Sequence, residues 1–170
     1  MKRLAQLGLI MLFGAMLQSC ADDTTIPAEG MITPGDRIGD LLVTQGEGED
    51  VVYLSTIHCP YDNDSGTESC EFPAGTHVNV AVGIYDDDPS TGKSLDEYWT
   101  EQTYEMMIEG RRVSLGAFGS IDLPHPMFGT IRIWNVVVTS DKPGKVSARS
   151  TGTVGGDPFD YTGAVTFSSP

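Results

Sequence analysis

Three histidines and three cysteines are all that 170 residues offer to imidazole or thiol chemistry. No GxSxG, HExxH or phosphate-cradling glycine loop occurs, so the usual marks of serine hydrolases, zinc proteases and nucleotide-binding enzymes are missing. CxxC is absent as well, which argues against a redox pair and against the common zinc spacings. Basic residues are scarce. Lys plus Arg is 10 against 24 for Asp plus Glu, a formal net charge of −14. Such a chain repels nucleic-acid phosphates and presents no polybasic patch to anionic lipid. Past residue 19 no apolar run approaches the roughly 20 residues of a bilayer span. With 39% hydrophobic and 20% charged residues, the composition is that of one globular domain.

The N-terminus carries an export signal. Lys2 and Arg3 precede an apolar run, Leu4 to Leu17, too short to span a bilayer and suited to a signal-peptide core. Leu17-Gln18-Ser19-Cys20 follows and resembles a bacterial lipobox, with Gln18 a departure at the loose position. That resemblance implies cleavage before Cys20 and a diacylglycerol on its sulfur, anchoring the chain to the membrane. The alternative is an ordinary secretory peptide with Cys20 there by chance. Residues 1–19 are thus assigned to the signal peptide, 20–36 to the lipidated cysteine and a flexible Pro/Gly-punctuated tether, and 37–170 to the folded domain. The expected location is outside the cytoplasm, tethered to the bacterial membrane.

Setting Cys20 aside leaves Cys59 and Cys70, an even pair that predicts a disulfide in an exported protein.

The mature chain alternates with period two between clusters of Gly, Pro, Asp and Ser. Predicted strands are 41–44, 51–57, 77–85, 103–108, 112–115, 130–139, 145–153 and 161–168. Glu109-Gly110 reads as a hairpin turn, and Gly155-Gly156-Asp157-Pro158 as another turn. Ser94-Leu95-Asp96-Glu97 has the form of a capping box and predicts one short helix near 95–102. Residues 116–128 read as an irregular connection. No helical crossover separates the strands, so the predicted fold is all-β, an antiparallel two-layer β-sandwich of the immunoglobulin-like kind.

PGDRIG (34–39), the Cys59–Cys70 loop with PAG (73–75), EMMIEGRRVSLGAFG (105–119), WNVVV (134–138) and KPGKV (142–146) occur in an order similar to uncharacterised secreted or lipid-anchored bacterial proteins, Chloroflexi-like in character. The resemblance rests on turns and core strands and implies no activity.

Two acidic loops are the candidate metal site. Asp62, Asp64 and Glu68 alternate within the cysteine loop, with Gly66 among them. Calcium takes several oxygens from alternating loop positions, but the EF-hand pattern is not met: the glycine falls one place early, and Pro73 stands where the bidentate Glu belongs. Asp86, Asp87 and Asp88 form the second group. Solvated turns account for both loops equally well. Charge is uneven, with 2 basic and 20 acidic residues in 20–110 but 6 and 4 in 111–170. His58, His77 and His125 sit in no motif, and no residue is assigned a catalytic role. Trp99, Trp134, Tyr53, Tyr85, Tyr98, Tyr104, Phe118 and Phe128 could supply a sugar-stacking face or core. The expected function is a non-enzymatic envelope module that binds a protein or glycan. The alternatives are a structural envelope protein with loop-bound calcium and a hydrolase using loop carboxylates.

Overall fold

The computed structural model describes residues 30–62, 67–85, 93–125 and 129–169. Cys20, Asp64, Asp86, Asp87 and Asp88 lie outside them, as does the side chain of Asp62.

The chain opens with β1 (Arg37–Ile38), β2 (Leu41–Thr44) and β3 (Val51–Tyr53), then a 3-10 turn at Leu54–Thr56. Next come β4 (Tyr61–Asp62), β5 (Thr67–Pro73), β6 (His77–Asn79) and β7 (Gly83–Tyr85). Helix α1 (Leu95–Glu101) leads to β8 (Thr103–Ile108), β9 (Arg111–Arg112) and the short helix α2 (Leu115–Phe118). The rest is β10 (Ser120–His125), β11 (Gly129–Trp134), β12 (Val137–Ser140), β13 (Gly144–Val154) and β14 (Asp157–Ser168).

The fold is all-β and sandwich-like. A five-stranded sheet, β1-β2-β12-β6-β3, and a six-stranded sheet, β4-β5-β14-β13-β8-β9, share one apolar core. Val43, Val78 and Val138 enter it from the first sheet, Met106, Ile108, Val165 and Phe167 from the second. Alternation along each strand makes this possible, since every second residue faces the core. A third sheet, β10-β11-β7, continues beyond the sandwich. There α1 packs Leu95 and Tyr98 against Ile84 of β7.

Local chemistry explains the elements that the sequence made legible. The Ser94 hydroxyl accepts from the Glu97 amide while the Glu97 carboxylate accepts from the Ser94 amide, so the capping box is complete. Glu109 and Gly110 both have positive φ, the requirement of a tight type I′ turn between paired strands. Gly155 and Gly156 do the same between β13 and β14.

Several expectations are corrected. The sheets are not purely antiparallel: β14 pairs β5 in parallel, and β3 pairs β6 in parallel. Parallel pairing needs a long return path, not a helix as such, and the 54–76 segment supplies one for β3 and β6. Residues 77–85 and 130–139 are not single strands, for each breaks and passes from one sheet to another. The 51–57 strand stops at Tyr53 where the 3-10 turn begins. The 112–115 strand is confined to β9, and 116–128 contains part of α2 and an edge strand, β10, where Pro124 is tolerated. Strand β5 lies where only a polar loop was expected. Ordered structure also begins before residue 37. Ile32 is fully buried in the core, bridged in parallel to Val113, with its amide donating to Arg112 O at 2.8 Å. Burying such a side chain contributes about 1.5–3 kcal/mol, enough to hold 31–33 against the body.

The disulfide expectation is met: Cys59 and Cys70 are bonded, with Cα atoms 5.0 Å apart. Cys70 is buried on β5, so the bond staples the segment around Cys59 to the six-stranded sheet. Closing a loop of this size stabilises by about 3 kcal/mol through the unfolded chain. Urea unfolding of a Cys59→Ala/Cys70→Ala double variant is expected to lose about that much. A loss under about 0.5 kcal/mol would show that the loop is held by other contacts.

Candidate functional site

The site grows out of the double break. Before it, β6 pairs with β12, Val78 opposite Val138 and Asn79 opposite Val137. After it, β7 pairs with β11, Gly83 opposite Ile133. The register is the same on both sides, and Val80 N still donates to Val136 O at 3.1 Å. One antiparallel pair therefore bends as a unit, and its residues 80–82 leave the plane of the first sheet.

Bending frees backbone groups that burial would make costly, and side chains satisfy them. Asn79, with no exposed surface, donates from Nδ2 to Trp134 O at 3.0 Å and accepts at Oδ1 from Ala81 N at 3.0 Å. Asn135 Oδ1 accepts from Gly46 N at 3.0 Å, and Asn135 N donates to Gly119 O at 2.9 Å. The Tyr104 hydroxyl accepts from Val82 N at 2.8 Å and donates to Ser150 Oγ at 2.9 Å. Burial pushes the Tyr104 phenol upward, which keeps it a neutral donor. Gly83 is required here, because a Cβ would lie 2.3 Å from Ile133 Cγ2 and 2.6 Å from Ile131.

Between this corner and the six-stranded sheet lies a cavity of about 510 Å³. One wall is Val80, Val82, Ile84 and Tyr85, and the opposite wall is Tyr104, Ala148, Phe159 and Val165. Leu54 and Ser55 of the 3-10 turn and Ile57 close a side, the last held near by the disulfide. Among the described residues the lining holds Glu68, Asp157 and His58, of which the last two are exposed, beside the phenols of Tyr85, Tyr104 and Tyr161. Volume and lining match ordinary ligand cavities, which span about 300–1,000 Å³ and are mainly apolar with a few polar groups.

Tyr161 stands at the mouth. Its hydroxyl donates to Glu68 Oε2 at 3.0 Å. Partial burial, then the Glu68 carboxylate, push its phenol up to about 12, above its ordinary value of 10.0. A phenol raised on folding contributes stability that is complete below its unfolded value and is lost as pH rises through about 12. Ultraviolet titration should therefore show a late phenolate that Tyr161→Phe removes and Glu68→Gln shifts downward. Unchanged curves in both variants would break this assignment.

Of the predicted metal ligands, only Glu68 has a described side chain, and it accepts from Tyr161. No group of three metal-ligating side chains is assembled among the described residues. Phe128 lies outside the described residues, and among those described the aromatics do not form one open face. Phe118 and Tyr98 are buried, and Trp99 packs on Trp134 with centroids 4.8 Å apart. Arg132 lies against that pair, holding Asp122 with two bonds of 2.6 and 2.7 Å and Asp96 of α1 with one of 2.6 Å. Among the described residues, the large exposed hydrophobics are Ile57, Tyr61 and Tyr161. Ile57 and Tyr161 line the cavity.

Sequence reasoning did not single out Val82, Gln102, Phe159 or Tyr161 for the site. The available signal was an Asn inside each broken apolar run, Val78-Asn79-Val80 and Trp134-Asn135-Val136, where a continuous strand has no use for a buried carboxamide.

Comparison with known proteins finds no matching family model, curated protein or solved structure.

Proposed function

We propose that this protein is a lipid-anchored envelope module that binds a protein partner by receiving an uncharged apolar group of it into the corner cavity. The single observation that carries the reading is the aliphatic and aromatic cavity of about 510 Å³ between residues 80–85 and the six-stranded sheet. Its aliphatic walls suit a hydrophobic side chain better than a sugar, which would need many polar partners. Binding, not turnover, is the reading, since His58 and Asp157 are exposed and Glu68 is engaged by Tyr161. The anchor is part of the proposal and rests on Leu17-Gln18-Ser19-Cys20. Among the described residues no helix is long and apolar enough to cross a membrane. More than one acyl chain on Cys20 would hold the protein stably, each buried CH₂ contributing about 0.8 kcal/mol.

Two experiments test the two halves. Labelled fatty acid should enter the wild type and not Cys20→Ala, and the variant should leave the membrane fraction. An unlabelled wild type, with Cys20→Ala still in the membrane, would sink the anchor. For the cavity, N-acetyl-leucine methylamide at millimolar concentration should raise the melting temperature of the exported domain, since a ligand of the native state stabilises it. No shift up to the probe's solubility limit would contradict the binding reading.

A further inference from the structure

Gln102 is the unusual member of the cavity wall. It ends α1, its amide N donating to Tyr98 O at 3.1 Å. Its side-chain Nε2 and Oε1 are both buried and, among the described residues, both lack a hydrogen-bond partner. Ser55 Oγ, on the same cavity, is in the same condition. Buried carboxamides are normally paired at both ends, and leaving both ends unmet destabilises the fold. Such groups mark sites where function outweighs stability.

We propose that Gln102 is the specificity-determining residue of the cavity and that it pairs with the backbone N–H and C=O of one residue in an apolar peptide segment, a refinement that rests on the binding function proposed above. A carboxamide offers one donor and one acceptor side by side. Its complement offers both along one edge, which an extended residue does through its own N–H and C=O. A hydrocarbon meets neither end, and a carboxylate meets only the donor. Charge disfavours the carboxylate independently, because among the described residues Glu68 and Asp157 are the acidic groups on the cavity and no Lys or Arg lines it. The aliphatic walls then receive the side chain of that residue. Gln102 lines the cavity with its carboxamide covered, so the pairing requires its side chain to turn toward the bound segment.

The test is a matrix of probes and variants read by methyl NMR titration and melting temperature. The probes are N-acetyl-leucine methylamide, its analogue with ester oxygens replacing both N–H groups, and tri-N-acetylchitotriose. The wild type should bind the amide about tenfold or more tightly over the ester, the worth of one buried hydrogen bond. In Gln102→Leu that ratio should fall to about one. The unliganded Gln102→Leu protein should melt at the same temperature as the wild type or higher, because an unmet amide has been replaced by an apolar group of similar size. Equal binding of amide and ester by the wild type overturns the role of Gln102 and leaves the cavity reading standing. A large drop in the melting temperature of Gln102→Leu overturns it too, by showing that the amide is paired within the fold. Binding of chitotriose in place of the peptide overturns the peptide assignment in favour of a glycan. Binding of no probe overturns the cavity reading itself.

Discussion

Val82→Trp is expected to abolish binding of the amide probe, weakening it by at least about a hundredfold, while the domain stays folded. Val82 lines the cavity from the corner, and its structural duty is carried by its backbone, whose N–H donates to Tyr104 at 2.8 Å. A tryptophan retains that bond. Its indole would project into the cavity and take the space beside Tyr104 and Phe159 where a ligand side chain would sit. Large apolar groups are well accommodated against Phe159, Tyr104 and Val165, so the stability change should stay within about 1.5 kcal/mol. Undiminished binding with an intact fold would place the binding surface elsewhere. Val82→Ala is the companion variant. It enlarges the cavity and should shift preference toward bulkier apolar side chains at modest cost.

Asn79→Ala is expected to be the most destabilising single change at the corner. The Asn79 side chain has no solvent exposure and serves two backbone groups, Trp134 C=O and Ala81 N–H. Alanine leaves the Ala81 N–H buried and unmet at about 1–3 kcal/mol, and takes one of two donors from Trp134 O, which still accepts from Val136 N at 2.9 Å. A loss of roughly 1–3 kcal/mol is a sizeable part of the stability of a domain this size. Chemical denaturation should show the loss as a lower midpoint at unchanged slope. The cavity should loosen with it, since Val80, Ala81 and Val82 are positioned by those bonds. A loss below about 1 kcal/mol would mean that the bend is imposed by sheet packing and not by Asn79.

The legible parts of the fold were those fixed by local chemistry. Ser94 and Glu97 specify a helix start by themselves, and Gly155-Gly156 specifies a tight turn by itself. The strand at 103–108 alternates cleanly because one face meets the core and the other meets water. Non-local facts did not show in the pattern. Whether β5 pairs with β14 in parallel depends on chain segments far apart, and periodicity is the same for both directions. The break at 80–82 hid inside an apolar run, because its residues stay apolar on both sides of the bend while the partner changes sheet. Edge strand β10 was masked by Pro124, a residue that marks loops more often than strands. The disulfide was legible from cysteine parity, once Cys20 was assigned to the expected anchor. The cavity was not, because its walls come from five stretches of chain and its key carboxamide, Gln102, reads in sequence as one more polar residue ending a helix.

The most direct test is the position of a bound ligand. Isotope-labelled domain, saturated with N-acetyl-leucine methylamide, should give intermolecular NOEs from the leucine methyls to the methyl groups of Val82, Ile84 and Val165. Those three residues belong to the corner, β7 and β14, and they meet on this cavity. Contacts to all three, absent in Val82→Trp, are the result that the proposed function requires. Contacts confined to exposed residues away from the cavity, such as Tyr61, would contradict it.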